Sequence, residues 1–184
     1  VATELGWLMA AELVAYGVDI SFAPVLDLDF GVRDVIGDRA FSSSAEDVAE
    51  LAGAFITGMR EAGMASTGKH FPGHGWVVAD SHHEIPVDER RLEDIEAQDL
   101  LPFVSLMAKG LDAVMPAHVI YQQVDDRPAG FSPYWIQQRL RSDIGFDGVV
   151  FSDDLTMEGA SVDGGFKSRS EQALEAGCDM LLVC

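Results

Sequence analysis

The chain has 184 residues, enough to bury a sizeable core, and 48% of them are hydrophobic and 9% aromatic, which is typical of a globular protein. Acidic residues outnumber basic ones by 31 to 12, giving a formal net charge of −19. Because so negative a surface repels polyanions, we expect small or neutral partners, and neither nucleic acid nor a membrane.

Apolar runs alternate with segments of helical spacing along the whole chain. In chain order, the predicted elements are helix 2–16, strand 20–26, helix 45–62, strand 64–68, helix 92–109, strand 113–115, helix 133–141, strand 148–151, helix 168–176 and strand 180–183. Ser44 and Ser132 precede two of the helices as N-caps, and Gly17 and Gly110 are placed to end two others. The alternation predicts an α/β protein with a parallel sheet.

Polar residues distinguish the two architectures that share this alternation, the doubly wound sheet and the (β/α)8 TIM barrel. Four successive strands are followed by polar residues, at Asp27, Lys69-His70, His118 and Asp153. Several strands that contribute to one site are typical of a barrel's carboxyl-terminal face, and no glycine-rich phosphate loop of a doubly wound sheet occurs. We therefore predict one domain, residues 1–184, that is an incomplete TIM barrel of about five βα units.

Two short segments hold most of the side chains that can carry chemistry. Residues 69–75 read Lys-His-Phe-Pro-Gly-His-Gly and residues 80–82 read Asp-Ser-His, a composition that suits a loop and is poor for a helix or a core strand. Residues 151–155 read Phe-Ser-Asp-Asp-Leu and follow an apolar run, so a buried strand presents a carboxylate at its end. Together the segments indicate an enzyme that works with one carboxylate and one histidine.

These motifs resemble the family 3 glycoside hydrolases, and most of all the bacterial β-N-acetylglucosaminidases of peptidoglycan recycling. Gly-Asp-Arg-Ala-Phe at 37–41 and Met-Pro-Ala-His at 115–118 extend the resemblance along nearly the whole chain. It implies a retaining mechanism through a covalent glycosyl-enzyme intermediate, with Asp153 as the nucleophile because it directly follows the serine. Its neighbour Asp154 is the competing candidate for the nucleophile, and its other interpretation is a cap of the next helix.

The same resemblance implies a histidine as the general acid/base. His82 matches that position, and Asp80 matches the residue that orients its imidazole; in an extended loop, residues two apart face the same side. Lys69 and His70 resemble the pair that donates hydrogen bonds to the hydroxyls of N-acetylglucosamine, and Arg39 resembles a third contact. The resemblance implies no cofactor and no metal.

Some side chains have a second interpretation. Arg39 could instead form an ion pair with Asp38 or Asp34, and Trp76 could either stack on a sugar or pack to anchor the loop. His74 is predicted to structure the loop between its two flanking glycines.

Two other classes of protein fit the residue types. A metal-dependent hydrolase could use His70, His74, Asp80 and His82 as ligands of zinc or another divalent metal, but their spacing matches no compact metal motif, and Lys69 would repel the cation. A non-enzymatic carbohydrate-binding protein is the other. Within the family, β-glucosidases and β-xylosidases take their acid/base from a further domain, which the Asp-Ser-His motif makes unnecessary. The predicted substrate is an N-acetylglucosaminyl muropeptide, with chitobiose or another N-acetylglucosaminide left open.

The predicted location is the cytoplasm. No apolar run approaches the roughly 20 residues that span a bilayer, and no export signal is visible. Cys178 and Cys184 are interpreted as reduced packing residues. Because the chain starts within a predicted helix and stops within a predicted strand, we expect a fragment of a longer barrel that is unstable when expressed alone.

Overall fold

The structure, a computed structural model, describes residues 1–31, 35–77, 85–157, 160 and 165–184. Its centre is a parallel sheet of five strands. These are β1 (Ile20–Ser21), β2 (Ala65–Phe71), β4 (Ala113–Pro116), β6 (Val149–Asp154) and β7 (Met180–Leu182), and two shorter strands, β3 (Val87–Asp88) and β5 (Ile120–Tyr121), pair with each other.

The order of the strands confirms the predicted barrel. The strands of the main sheet lie side by side in the order β1-β2-β4-β6-β7, and all neighbours are parallel. Their order in space is therefore their order in the sequence. A doubly wound sheet reverses direction at a switch point, whereas a TIM barrel does not. The described strands therefore form a half-barrel. All five were predicted from the sequence, but the two-residue strands β3 and β5 are too short to show a pattern.

Helices separate successive strands of the main sheet. They are α1 (Ala2–Ala15), α2 (Ala45–Glu61), α3 (Leu92–Ala97), α4 (Leu100–Met107), a π-helix (Tyr134–Asp143) and α5 (Gly165–Ala176). Two predicted serine caps are present: Ser44 Oγ accepts a hydrogen bond from the amide of Asp47 (3.2 Å), and Ser132 Oγ accepts one from Trp135 (3.2 Å).

The predicted helix 92–109 is two helices. Pro102 lacks an amide N–H, and in a continuous helix its ring would clash with the carbonyl four residues earlier, so it fits only the first turn of a new helix. Asp99 lies at the break, where its carboxylate binds the guanidinium of Arg90. The prediction of one helix was therefore wrong, although Pro102 was visible in the sequence. The segment predicted as helix 133–141 is a π-helix. At its end the amide of Ile144 donates a hydrogen bond to the carbonyl of Arg139, five residues earlier (3.0 Å).

Strand β2 leads directly into the candidate site and continues to Phe71, so residues 69–71 belong to a buried strand and the prediction of a loop from Lys69 was wrong. Phe71, the last residue of this strand, is fully buried and packs edge-on against Phe103 of α4 (ring centroids 5.5 Å apart) and Trp135 of the π-helix (6.1 Å). Burying a ring of this size contributes about 2–3 kcal/mol. The strand end that carries Lys69 and His70 is thus fixed to the helices that follow it.

Candidate active site

A pocket of about 240 Å³ opens where β2 and β6 end. Its lining residues are Val35, Arg39, Lys69, His70, His74, Asp153, Asp154, Met157, Leu182 and Cys184. Four of the six residues predicted to act in catalysis or sugar binding, Arg39, Lys69, His70 and Asp153, therefore line one pocket. The other two, Asp80 and His82, lie outside the described residues.

A larger groove of about 690 Å³ lies between α2 and α4. Alanine, glycine and aliphatic side chains form much of its floor, with Glu46, Glu50, Arg60 and Lys109 among its charged residues. It lies on the helical layer and not at the strand ends. The smaller pocket, where the polar strand ends converge, is therefore the candidate active site.

Asp27 supports the floor of this pocket. The segment before it runs beside β2, as shown by the parallel bridge between Val25 and Lys69 and by the bond from the Leu26 amide to the Lys69 carbonyl (2.6 Å). This pairing places the fully buried Asp27 side chain beside the end of β2 that contains His70. The sequence indicated that Asp27 lies at a strand end but assigned it no role.

Lys69 lies in an environment of mixed charge. Burial lowers the pKa of its ammonium below the ordinary value, and the nearby Arg39 guanidinium acts in the same direction, while Asp153 opposes both. The two cations and the carboxylate are thus close enough to influence one another. The Lys69–His70 peptide bond is cis.

Asp153 and Asp154 have different surroundings. Asp153 is 9% exposed, lines the pocket and accepts a hydrogen bond from the amide of Asp154 (2.8 Å). Asp154 instead accepts bonds from the amide and hydroxyl of Thr156 (2.9 and 2.6 Å) and from the amide of Cys184 (3.2 Å). Although burial raises the pKa of Asp154, the bonds from Thr156 hold it below its usual range. Asp154 therefore stabilises the turn after β6 and the adjoining end of β7.

His118 lies beneath this turn. Its ring is fully buried, is stacked on Phe131 (centroids 5.3 Å apart, planes 9° apart) and has Nε2 3.2 Å from the carbonyl oxygen of Asp154. No hydrogen-bond partner of Nδ1 lies within the described ranges. Burial lowers the pKa of His118, although the carboxylate of Asp153 opposes the shift. The third of the predicted strand-end positions therefore supports the strand end that bears Asp153.

The loop after β2 is anchored on its other side by Arg90. Its guanidinium binds the fully buried carboxylates of Asp88 (2.7 Å) and Asp99 (2.8 Å) and lies over the rings of Phe30 (5.3 Å) and Trp76 (4.8 Å). Trp76 also packs edge-on against Phe30, with centroids 5.1 Å apart. These contacts match the packing interpretation of Trp76.

Arg39 contributes to the pocket from a short 3₁₀ helix, Gly37–Arg39. Its Nη2 donates a hydrogen bond to the carbonyl of Val35 (2.7 Å), which directs the guanidinium along the pocket wall. The alternative pairing with Asp34 lies outside the described residues, and where the chain is described no ion pair joins Arg39 to Asp38.

Cys184 was interpreted as a packing residue, but it is exposed and lines the pocket, whereas Cys178 is buried. Both are free thiols. Among the residues described, no group of three or more His, Cys, Asp or Glu side chains is arranged to hold a metal ion. No helix in the described part of the chain is long and apolar enough to cross a membrane.

The fold and the pocket define an α/β-barrel protein with its polar site at the carboxyl ends of parallel strands. The chain belongs to glycosyl hydrolase family 3, because residues 1–184 match the N terminal domain of that family. The match confirms the resemblance to this family that the sequence motifs indicated.

Three relatives illustrate the match. The beta-hexosaminidase of Tolumonas auensis is 64% identical over 184 residues, which are 100% of this chain and 55% of that protein. The structure of NagZ from Neisseria gonorrhoeae in complex with N-trifluoroacetyl-D-glucosamine has 56% identity and a TM-score of 0.93 over 100% of this chain and 53% of that one. The structure of a glycoside hydrolase family 3 beta-N-acetylglucosaminidase from Paenibacillus has 40% identity and a TM-score of 0.95 over 99% of this chain and 35% of that one. The chain thus spans about half the length of the curated relatives it matches.

Proposed function

We propose that residues 1–184 are part of the catalytic barrel of a retaining β-N-acetylglucosaminidase. The observation that carries the proposal is the single pocket in which the Asp153 carboxylate meets Lys69, His70 and Arg39. A carboxylate among cationic and hydrogen-bonding side chains suits a nucleophile that attacks a bound sugar. The family membership and the beta-hexosaminidase relatives support the same reaction.

In the first step, an oxygen of Asp153 attacks the anomeric carbon while the bond from that carbon to the leaving-group oxygen breaks. His82 gives its proton to this oxygen, and Asp80 orients the imidazole. In the second step, His82 removes a proton from water, whose oxygen attacks the anomeric carbon while the bond from that carbon to Asp153 breaks. The carboxylate is released and the sugar leaves with its original anomeric configuration. The roles of His82 and Asp80 rest on the resemblance of the sequence.

The sugar-binding part of the pocket is assigned to Arg39, Lys69 and His70. Arg39 and Lys69 can only donate hydrogen bonds, which suits sugar hydroxyl and acetamido oxygens. The N-acylated glucosamine in the Neisseria NagZ structure supports a pocket of this specificity. We propose a terminal β-linked N-acetylglucosamine of a peptidoglycan-derived muropeptide as the substrate and the cytoplasm as the site of action.

The stereochemistry of the product tests the mechanism. Because the chain spans about half the length of its relatives, we would join residues 1–184 to the remainder of the Tolumonas auensis beta-hexosaminidase in place of its matching segment. With nitrophenyl N-acetyl-β-glucosaminide, proton NMR should show the β-anomer of N-acetylglucosamine before mutarotation. Initial release of the α-anomer would contradict the retaining mechanism.

A chelator tests the alternative class. Dialysis of this chimera against EDTA should leave its activity unchanged, since the proposed reaction uses only side chains. Activity that is lost on chelation and restored by zinc would instead support a metal-dependent hydrolase. Binding of N-acetylglucosamine without any turnover would favour a carbohydrate-binding protein.

A further inference from the structure

Three donors converge on the buried carboxylate of Asp27. Oδ1 accepts a hydrogen bond from the amide of His74 (2.7 Å), Oδ2 lies 2.8 Å from Nδ1 of His70, and the amide of His70 lies 3.2 Å from both oxygens. The Asp27 side chain is fully buried, and that of His70 is 9% exposed. One carboxylate thus holds both the backbone and the ring of a pocket residue.

The contacts define the charge of this carboxylate. Burial alone would raise the pKa of Asp27, but its electrostatic and hydrogen-bond contacts with His70 and His74 bring it below the ordinary value. An ionised carboxylate can only accept hydrogen bonds. The atom that faces it, Nδ1 of His70, must therefore carry a proton.

The position of this proton decides what the other ring nitrogen can do. Nδ1 is turned toward a carboxylate that is closed to solvent, so Nε2 is the polar atom of the ring left for a ligand in the pocket. In a neutral imidazole with its proton on Nδ1, Nε2 is an acceptor. His70 would then complement Lys69 and Arg39, which can only donate.

We propose that Asp27 is a positioning residue that holds His70 in its Nδ1–H tautomer, so that Nε2 accepts a hydrogen bond from a hydroxyl of the bound sugar. This inference deepens the proposed function and rests on it for the identity of the ligand. It refines the expectation that both members of the Lys69-His70 pair donate to sugar hydroxyls. It also gives the buried Asp27 a part in substrate binding without contact to the substrate.

The tautomer can be measured without substrate or turnover. We would label histidine with ¹⁵N in the chimera described above, assign His70 by its loss in His70→Gln, and record long-range ¹H–¹⁵N spectra at a pH where the ring is neutral. The expected result is a protonated Nδ1 and an unprotonated Nε2. A proton on Nε2 of the unsubstituted protein would overturn the proposal, and this measurement stands even if variants of Asp27 do not fold.

The variant Asp27→Asn tests the consequence for binding. An amide can offer its NH2 where Oδ2 accepts the Nδ1 proton, which favours transfer of the ring proton to Nε2. We expect the spectrum to show this change of tautomer. We also expect an about tenfold higher KM, because one hydrogen bond to the sugar is lost, and a much smaller change in kcat. An unchanged KM in a variant that has switched tautomer would also overturn the proposal.

Asp112→Asn is the matched control. Asp112 also accepts an amide hydrogen bond from β2, from Ser66 (3.0 Å), but at the opposite end of the strand from the pocket. It should leave the His70 tautomer and the KM unchanged. A merely structural role for Asp27 would lower the folded fraction, and so the apparent kcat, with no change in KM or tautomer. If the unsubstituted chimera has the Nδ1–H tautomer but hydrolyses nothing, the proposed function fails and the positioning of His70 does not.

Discussion

Gly58 of α2 lies directly against Thr3 of α1, where an added Cβ would be 1.9 Å from the Thr3 carbonyl oxygen. Gly6 makes the reciprocal approach, since its Cβ would be 2.1 Å from the carbonyl oxygen of Phe55. The two helices therefore meet backbone to backbone through a pair of glycines. This close contact depends on the absence of side chains at both positions.

Substitution of Gly58 should destabilise the protein. In Gly58→Ala the methyl group meets backbone atoms, so α1 must move away, and we expect a loss of about 1–3 kcal/mol in the free energy of unfolding. Gly53→Ala on the same helix is the control, because its nearest contact is the flexible Leu106 side chain at 3.2 Å, and alanine favours the helix by about 1 kcal/mol. Urea unfolding of both variants measures the difference, and equal losses would contradict the close packing.

The two adjacent aspartates should differ in their effect on catalysis. We expect Asp153→Asn to lower kcat by about a thousandfold or more, because the amide cannot form the glycosyl ester. Asp154→Asn should lower the stability by about 1 kcal/mol through its weakened bonds to Thr156, with kcat within about tenfold of the unsubstituted value. Steady-state kinetics of the chimera measure kcat, and urea unfolding measures the stability. A larger loss of kcat in the Asp154 variant would indicate that Asp154 is the nucleophile.

His82→Ala tests the proton donor through the leaving group. A substrate with a basic leaving group needs protonation of its glycosidic oxygen, whereas a nitrophenolate leaves without it. We therefore expect kcat/KM to fall much more for a disaccharide than for the nitrophenyl glycoside. His83→Ala is the neighbouring control and should affect both substrates little. Equal slowing of both substrates by His82→Ala would contradict its role as the acid.

The buried histidines should make stability depend on pH. Burial lowers the pKa of both His74 and His118, so the unfolded chain binds protons that the folded chain excludes. Their contribution is complete above about pH 6.5, the ordinary histidine value, and is lost as the pH falls toward the lower folded values. The free energy of unfolding should therefore decrease below this pH, by up to about 1.4 kcal/mol per pH unit for each histidine.

The variant His118→Gln separates the contributions of His74 and His118 to the pH dependence of stability. It removes one titrating ring and retains a side chain that can donate to the Asp154 carbonyl. Urea unfolding between pH 5 and 7.5 should show a shallower dependence than in the unsubstituted protein, with the part due to His74 retained. Parallel curves for the two proteins would show that His118 titrates alike in both states.

The sheet could be predicted from the sequence because its signals are local. Each strand is an apolar run between glycine, proline or polar residues, and the polar residue after each run marks the end where the site forms. Lys69, His70 and Asp153 were found in this way and share one pocket. The acid/base pair, Asp80 and His82, remains a prediction of the sequence.

The parts that escaped prediction depend on contacts between distant segments. The partner of Asp27 is His70, 43 residues further along the chain, and no local pattern indicates that the two meet. Cys184 reaches the pocket only because β7 pairs with β6. The small sheet of β3 and β5 likewise joins segments whose two-residue strands show no periodicity on their own.

The sequential order of the strands has a consequence for how the pocket is assembled during synthesis. Each strand of the main sheet pairs with the preceding one, so when a strand leaves the ribosome, its partner strand has already been synthesised. The hydrogen bonds of Asp27 to His70 and His74 need nothing that follows His74, whereas Asp153 arrives only when β6 docks on β4. The part of the pocket that we propose to bind the sugar is thus built first, and Asp153, the proposed nucleophile, is added later.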